Sequence, residues 1–243
     1  STITTHLSNN PNALTARDFK SNNTIQVRLQ NEIKQRYGPA SYSAITSGAV
    51  PVNLTMLSNE NMGILLMSFD LKEPWNTHRK YQVFDEKYTD IFGRPEVNAD
   101  RIIMVHIMDS LITSKLDVIK NQLVAKYALT RFALLYMLRQ ILENDPVGVE
   151  LIKNPESFVF EKNKRELFIS SIQKIIDDII VDFNGEVESL GGDFDYRSRL
   201  REEIWVKNLS KEVVGSYLKL VTRGRIDSFG SDWNKLNSTT STN

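Results

Sequence analysis

The sequence predicts a mainly all-α protein: a multi-helix bundle of about seven to nine helices, with one short irregular or β patch near 40–58. Apolar residues recur every three or four positions along most of the chain, which is the spacing that places them on one face of a helix. The patch is instead rich in serine, threonine and small residues, and Pro51 interrupts its one run suited to a strand. We therefore expect helices to build the core.

Capping residues and helix breakers divide the first half of the chain. Asn23 and Asn98 each precede an amphipathic stretch, where an asparagine side chain is suited to cap the first turn of a helix. Gly38-Pro39 and Gly93 mark helix ends. These signals predict helices over about 24–37, 59–71 and 76–92, and one that begins after Asn98.

The second half contains the most apolar predicted helix, 118–143, which we expect to lie centrally because other helices must cover its wide apolar surface. Asp145-Pro146 and Asn154-Pro155 each have the pattern of a cap followed by proline at the first helical position. A long amphipathic helix is predicted over 164–183, and two shorter ones near 196–207 and 210–222.

The predicted domain organisation follows from breaks in these patterns. A chain of 243 residues is long enough for one large domain or two small ones. We expect a helical domain over 1–190, with its core at about 59–185, and a C-terminal helical subdomain over 191–236. Gly191-Gly192 is the predicted hinge between them. The polar segment 237–243 is predicted to be a disordered tail.

Composition excludes several classes of protein. The chain has no cysteine, which rules out disulfides, thiolate zinc sites, iron–sulfur clusters and cysteine nucleophiles. No apolar run approaches the ~20 residues that span a bilayer, so no membrane partner is expected. The first residues lack a signal-peptide core, and we predict a cytoplasmic protein.

The formal net charge is zero, but the charges are unevenly distributed. Residues 141–195 carry thirteen acidic and five basic side chains, whereas residues 196–225 carry eight basic and three acidic ones. The basic segment favours contacts with the phosphates of DNA or RNA. The alternative is that its arginines pair with the acidic stretch and with nearby glutamates. The candidate residues are Arg197, Arg199, Arg201, Arg223 and Arg225.

A second polar cluster lies near the start of the chain. Thr15 and Asp18 have the spacing of a capping box. The side chains around them can form hydrogen bonds. One interpretation is a surface that recognises a nucleotide or nucleic acid, and the alternative is a capped helix start with a solvated face. The candidates for binding are Arg17, Gln26 and Arg28, with Asn22 and Gln30 beside them.

Catalytic signatures are few. His6, His78 and His106 are too far apart to suggest a metal site, and we read His106 as a structural helix residue. Glycine-rich phosphate loops are absent, and no cofactor is evident. A metal-dependent nuclease could use Glu60, Asp70 and Lys72, with two acids holding Mg²⁺ and the lysine placing a water. Glu32 and Lys34 have a similar spacing. Mg²⁺ is expected only if the chain is a nuclease.

Two segments together resemble the abortive infection phage resistance family of bacterial proteins. In the first, the residues that resemble the family are Arg17, Asp18, Ser21, Asn22, Asn23, Gln26, Arg28, Leu29 and Gln30. In the second, they are Phe69, Pro74, Trp75, Phe84, Asp85, Tyr88, Ile91 and Phe92. The Arg131-Phe132 helix is also compatible, and the resemblance covers roughly residues 12–140.

The resemblance implies a phage-defence protein of restriction type, in which a nuclease-like N-terminal region is joined to a helical part. An earlier motif of the family is missing here and the chain opens on Ser1, so we expect an internal start with the chemistry in a preceding region. The resulting hypothesis is a helical module that binds nucleic acid or organises the effector. The alternative is an interaction or oligomerisation module, with another copy or its own N-terminal domain as partner.

Overall fold

A computed structural model describes residues 23–38 and 57–240, with side chains as far as residue 236. These residues form an all-α fold that contains twelve α-helices and no strand, which confirms the predicted fold class. The patch near 40–58 lies outside the described residues except at its last two positions. Arg17, Asp18 and His6 also lie outside them.

The twelve α-helices in the described ranges are α1 (Thr24–Tyr37), α2 (Asn59–Phe69), α3 (Tyr88–Phe92), α4 (Ala99–Thr113), α5 (Gln122–Lys126), α6 (Ala128–Glu143), α7 (Pro146–Lys153), α8 (Glu156–Val159), α9 (Lys162–Ser189), α10 (Tyr196–Arg199), α11 (Glu203–Thr222) and α12 (Gly230–Thr240). Three short 3-10 helices, Pro74–Asn76, Lys80–Phe84 and Leu116–Val118, connect some of them.

The predicted count of seven to nine helices was too low. Four helices have only four or five residues, too few to show a repeating apolar pattern: α3, α5, α8 and α10. The helix predicted over 76–92 is two 3-10 segments followed by α3. The one predicted over 118–143 is interrupted at Tyr127, whose backbone is extended.

Helix caps were predicted more accurately than helix ends. The side chains of Asn23 and Asn98 accept hydrogen bonds from the backbone of the first turn, and Asp145 caps α7. Asn154 is the exception: it ends α7, and Pro155 takes the N-cap of α8. Helix α12 continues to Thr240, so the first residues of the predicted disordered tail are helical. Buried Trp233 anchors this helix, and intrahelical backbone hydrogen bonds extend it beyond residue 236.

The core is centred on α4 and α6, which pack against each other and against α2. Helix α9 packs on α4, and α11 lies against both α6 and α9. Side chains from beyond residue 191, including Val213, Tyr217 and Phe229, belong to the same buried cluster as those of α4 and α6. Independent folding of residues 191–236 stays a prediction. None of the described helices combines the length and apolar character needed to cross a membrane.

A buried carboxylate joins three parts of this core. Asp70 follows α2, and its side chain is only 1% exposed. Its Oδ2 atom lies 2.8 Å from Arg94 Nη2 and 2.9 Å from Arg101 Nε, while Oδ1 lies 3.3 Å from Arg139 Nη1. The three guanidinium groups come from the α3–α4 connection, α4 and α6. This arrangement compensates for the cost of burying the carboxylate charge.

We expect Asp70→Asn to destabilise the fold by about 3–5 kcal/mol, because it leaves the arginines without their shared counter-charge. Urea unfolding followed by circular dichroism measures the change. Asp85→Asn is the matched control, since Asp85 is exposed and has no ion pair among the described residues; it should change stability by no more than about 0.5 kcal/mol. Equal unfolding midpoints for Asp70→Asn and the parent chain would contradict the structural role of Asp70.

Candidate nucleic-acid interface

Three segments distant in sequence meet over a small second core. Its buried side chains come from the turn at Trp75, from α6, and from the end of α10 and the start of α11: Trp75, Leu129, Ala133, Tyr136, Leu200 and Val206. The Trp75 and Tyr136 rings meet edge to face, with centroids 5.8 Å apart. The cluster fixes the positions of the more exposed side chains that surround it.

Aromatic rings form a continuous row at the edge of this core. Tyr127 and Tyr196 meet edge to face, with ring centroids 5.4 Å apart. Phe194 lies 6.5 Å from Tyr196 and 6.2 Å from Trp205, stacking on the latter at an interplanar angle of 24°. All four rings are partly exposed. Half-buried rings held in fixed positions can stack on other planar groups.

Basic side chains border this row. Arg201 Nε donates a hydrogen bond to the Tyr127 hydroxyl at 3.0 Å, and the Arg197 guanidinium carbon lies 5.8 Å from the centre of the Tyr196 ring. Arg79 directly follows His78, which contacts the carbonyl oxygen of Trp75, and Trp75 belongs to the same buried cluster as Leu200. We call this region the aromatic–basic surface: Arg79, Tyr127, Phe194, Tyr196, Arg197, Arg201 and Trp205, with His78.

Three of the arginines in this region have no carboxylate partner among the described residues: Arg79, Arg197 and Arg201. Arg199 differs, because its Nη1 lies 3.4 Å from a carboxylate oxygen of Glu202. Lys207 is likewise paired with Glu203 at 2.6 Å. Pairing with glutamates, the alternative expected from the sequence, therefore holds for Arg199 but not for Arg197 or Arg201.

The pKa of His78 reflects the positive charge of the aromatic–basic surface. Its Nδ1 atom lies 2.9 Å from the carbonyl oxygen of Trp75. Burial lowers the pKa of His78, the hydrogen bond to Trp75 raises it, and the positive charges of Arg201 and Arg79 lower it further, with a net decrease. A phosphate bound between the two arginines would have the opposite effect on this histidine, because its negative charge would favour the imidazolium form.

The N-terminal candidates lie elsewhere. Gln26 is completely buried and donates from Nε2 to the Tyr88 hydroxyl at 3.3 Å, so this side chain, predicted to contact nucleic acid, lies inside the fold. Arg28 is exposed but lies 3.2 Å from Glu32 and also donates to the Val97 carbonyl. Arg17 is outside the described residues.

Arg223 and Arg225 do not join the aromatic–basic surface. They follow the C-terminal end of α11, whereas Arg201 lies two residues before its start. A helix of twenty residues is about 30 Å long. The basic segment 196–225 is therefore divided between the two ends of α11, and the sequence pattern did not reveal that division.

The predicted nuclease residues do not assemble into a magnesium site. Asp70 is occupied by its three arginines, Lys72 pairs with Glu143, and Glu60 lies 3.9 Å from Lys80. Glu32 accepts a hydrogen bond from the Ala99 amide. The described part of the chain contains no group of three or more histidine, aspartate or glutamate side chains placed to hold a metal ion.

Of the aromatic–basic surface, sequence reasoning named only Arg197 and Arg201 as binding candidates. Arg79 and His78 lie more than 100 residues before Arg197 along the chain, and Tyr127 lies between them. Local patterns cannot report such contacts. The available signal was the interleaving of aromatic and basic residues in Tyr196-Arg197 and in Trp75 followed by His78-Arg79, a pattern typical of nucleic-acid contacts.

Comparisons with known proteins add no assignment: no family model, curated protein or solved structure matches this chain. The resemblance to the abortive infection phage resistance family therefore stays a prediction based on the motif residues.

We expect Arg201→Gln to raise the pKa of His78, because removing a nearby positive charge stabilises the protonated ring. Titration of the His78 ring protons by NMR measures the change. Arg223→Gln removes the same charge at the other end of α11 and should leave the titration unchanged. Identical His78 titrations in the parent and Arg201→Gln chains would contradict the placement of Arg201 beside this histidine.

Proposed function

We propose that this chain is a helical module of a bacterial phage-defence effector and binds single-stranded nucleic acid in the cytoplasm. The observation that carries the proposal is the set of arginines without carboxylate partners beside a row of partly exposed rings. The resemblance to the abortive infection phage resistance family supports the biological setting. Because members of that family join a nuclease-like region to a helical part, we assign any catalytic step to a region other than this module.

A single strand offers groups that suit both the arginines and the aromatic rings of the aromatic–basic surface. Arginines attract the phosphate backbone and release its condensed counterions, so binding weakens as salt increases. Unstacked bases can then lie on aromatic rings, a contact worth about 1–3 kcal/mol per base. Tyr196 and Trp205 are the rings best placed to accept bases because each is partly exposed and held by Phe194. A paired duplex hides its base faces and offers only the phosphates.

We expect fluorescence anisotropy of a labelled 20-nucleotide single strand to rise with added protein at low salt, and to rise less for the matching duplex. Arg79→Gln/Arg201→Gln should weaken binding and reduce the slope of log affinity against log salt by about 1.4, or about 0.7 for each lost phosphate contact. Tyr196→Leu should weaken the single strand about tenfold and the duplex little, since stacking requires exposed base faces.

The matched control is Arg223→Gln/Arg225→Gln, which removes the same charge from the opposite end of α11. This control should bind as the parent chain does. Equal losses in both double variants, or a loss only in the control, would contradict the proposed interface. In cells that carry the complete effector gene, the Arg79/Arg201 variant should lose protection against phage in plaque counts, whereas the control variant should keep it.

Self-association is a second candidate function, favoured by a separate surface. Val118 and Val181 are 46% and 64% exposed. They lie between two contacts that join the Leu116–Val118 turn to α9: Lys115 with Asp177 at 3.0 Å, and the Lys120 amide with Asn184 at 3.0 Å. Association of two copies through this side of the fold would remove both exposed valines from water.

If two copies pair through this surface, sedimentation velocity should show a concentration-dependent dimer, and Val181→Lys should remove it because the interface would then bury a charge. The exposed Val27→Lys serves as the control, since Val27 lies on α1 and is 47% exposed. A monomer at all concentrations would rule out this candidate and leave the nucleic-acid proposal unaffected.

A further inference from the structure

A surface pocket of about 390 Å³ opens between α7, α8, the start of α9 and α12. This volume lies within the range of about 300–1,000 Å³ that is usual for small-molecule sites. Val147, Phe158 and Leu236 contribute apolar surface, and the ring of Trp233 forms part of the wall. None of the described residues that line the pocket belongs to the aromatic–basic surface, so the two regions are separate.

The walls of this pocket are held in place by contacts outside it. Asp145 Oδ2 accepts a hydrogen bond from the Gly230 amide at 3.1 Å, which joins the start of α12 to the start of α7. Lys174 Nζ lies 3.1 Å from Asp232, which ties α12 to α9 as well. The pocket is therefore a property of the folded chain and does not depend on a ligand to form it.

The Trp233 side chain contains a buried hydrogen-bond donor without an acceptor. Trp233 is 5% exposed, and its ring packs on Phe158 with the ring centroids 4.5 Å apart. Its Nε1 atom is buried, and no described residue accepts a hydrogen bond from it. An indole N–H can only donate, and leaving such a donor unpaired inside a protein is costly. Since Trp233 lines the pocket, an acceptor atom on a ligand would complete this hydrogen bond.

Two further donors line the same pocket. Ser157 Oγ accepts a hydrogen bond from Asn154 Nδ2 at 2.9 Å, and no described residue accepts the hydroxyl hydrogen of Ser157. Lys164 Nζ lies 3.7 Å from Glu161, which is too far for a hydrogen bond. A carboxylate has two oxygens that accept several hydrogen bonds, so it matches an indole N–H, a hydroxyl and an ammonium group together.

The pocket also contains one negative charge. Glu150 lines it and has no ion pair among the described residues. The lining therefore carries one charge of each sign, on Glu150 and Lys164. This arrangement matches a zwitterion, whereas a simple anion would meet the like charge of Glu150 and a simple cation that of Lys164. The apolar walls suit an apolar group on the same ligand.

We propose that this pocket binds a free α-amino acid with an apolar side chain, such as leucine. The carboxylate of the ligand accepts hydrogen bonds from Trp233 Nε1, Ser157 and Lys164. Its ammonium group pairs with Glu150, and its side chain packs against the apolar surface of α7 and α8. Binding here is separate from the proposed nucleic-acid interface and does not depend on it.

Two-dimensional ¹H–¹⁵N NMR of the whole chain tests this proposal. The chain has three tryptophans and therefore three indole N–H signals, and the Trp233→Phe variant identifies the signal of Trp233. We expect added leucine to shift this signal saturably, with the proton moving to higher frequency, because a hydrogen bond to an anion deshields the donor proton. The signals of Trp75 and Trp205, which do not line the pocket, should stay in place.

Three probes that each lack one group of leucine define the class of ligand. Leucinamide lacks the carboxylate charge, 4-methylpentanoate lacks the ammonium group, and glycine lacks the apolar side chain. Each should bind at least about tenfold more weakly than leucine, since each loses a charged contact or a buried apolar group whose strength corresponds to about that factor. A probe that binds as tightly as leucine would overturn the assignment of an apolar amino acid.

Substitutions of the two charged lining residues locate the site without removing core side chains. Lys164→Gln should weaken leucine binding about tenfold and abolish the preference for leucine over leucinamide. Glu150→Gln should weaken it to a similar extent and abolish the preference over 4-methylpentanoate. Lys162→Gln is the matched control, because Lys162 is exposed in the same turn of α9 and does not line the pocket. The control should bind leucine as the parent chain does.

Two further outcomes would contradict the proposal: a Trp233 signal that leucine does not shift saturably, and equal losses of affinity in Lys164→Gln and Lys162→Gln. The Arg79→Gln/Arg201→Gln variant should bind leucine as the parent chain does. Leucine binding can therefore fail while the labelled single strand still binds, and the reverse is equally observable.

Discussion

The buried carboxylate of Asp70 fixes the packing of the central helices, which support the rest of the fold. Its arginines are fixed in turn by backbone carbonyls: Arg101 donates to Ile152, and Arg139 donates to Phe69. One buried charge therefore sets α2, α4 and α6 relative to each other and to the end of α7. Helix α6 then supports α11, which carries part of the aromatic–basic surface at its start.

Features decided within one turn of chain could be predicted from the sequence. Asn98 caps α4 because its side chain accepts a bond from the amide three residues later, and Asp145-Pro146 starts α7 for a similarly local reason. The all-α class follows from the same short-range patterns. The 3-10 segments near Lys80–Phe84 could not be predicted, since their aromatic spacing fits an α-helix and only packing against α2 makes the tighter turn favourable.

The candidate site was predictable only in part because polarity does not reveal burial or neighbours. Gln26 and Arg201 are both polar residues that the sequence marks as candidates for binding. In the structure, Gln26 is buried against Tyr88, whereas Arg201 forms a hydrogen bond with Tyr127, which lies 74 positions earlier in the chain. Asp70 is a similar case. Its spacing to Lys72 indicated a catalytic pair, but its carboxylate oxygens form ion pairs with three arginines distant in sequence.

Helix α11 carries Trp205 near its start and Tyr217 twelve residues later, a separation of about 18 Å along the axis. The basic surface lies at the first position, and Asp177 and Asp178 of α9 lie beside the second. Beyond the helix, Arg223 and Arg225 carry positive charge again. A chain whose charges sum to zero has little long-range attraction for a polyanion. A nucleic acid is therefore attracted only within about one Debye length of the start of α11, ~10 Å at 0.1 M ionic strength.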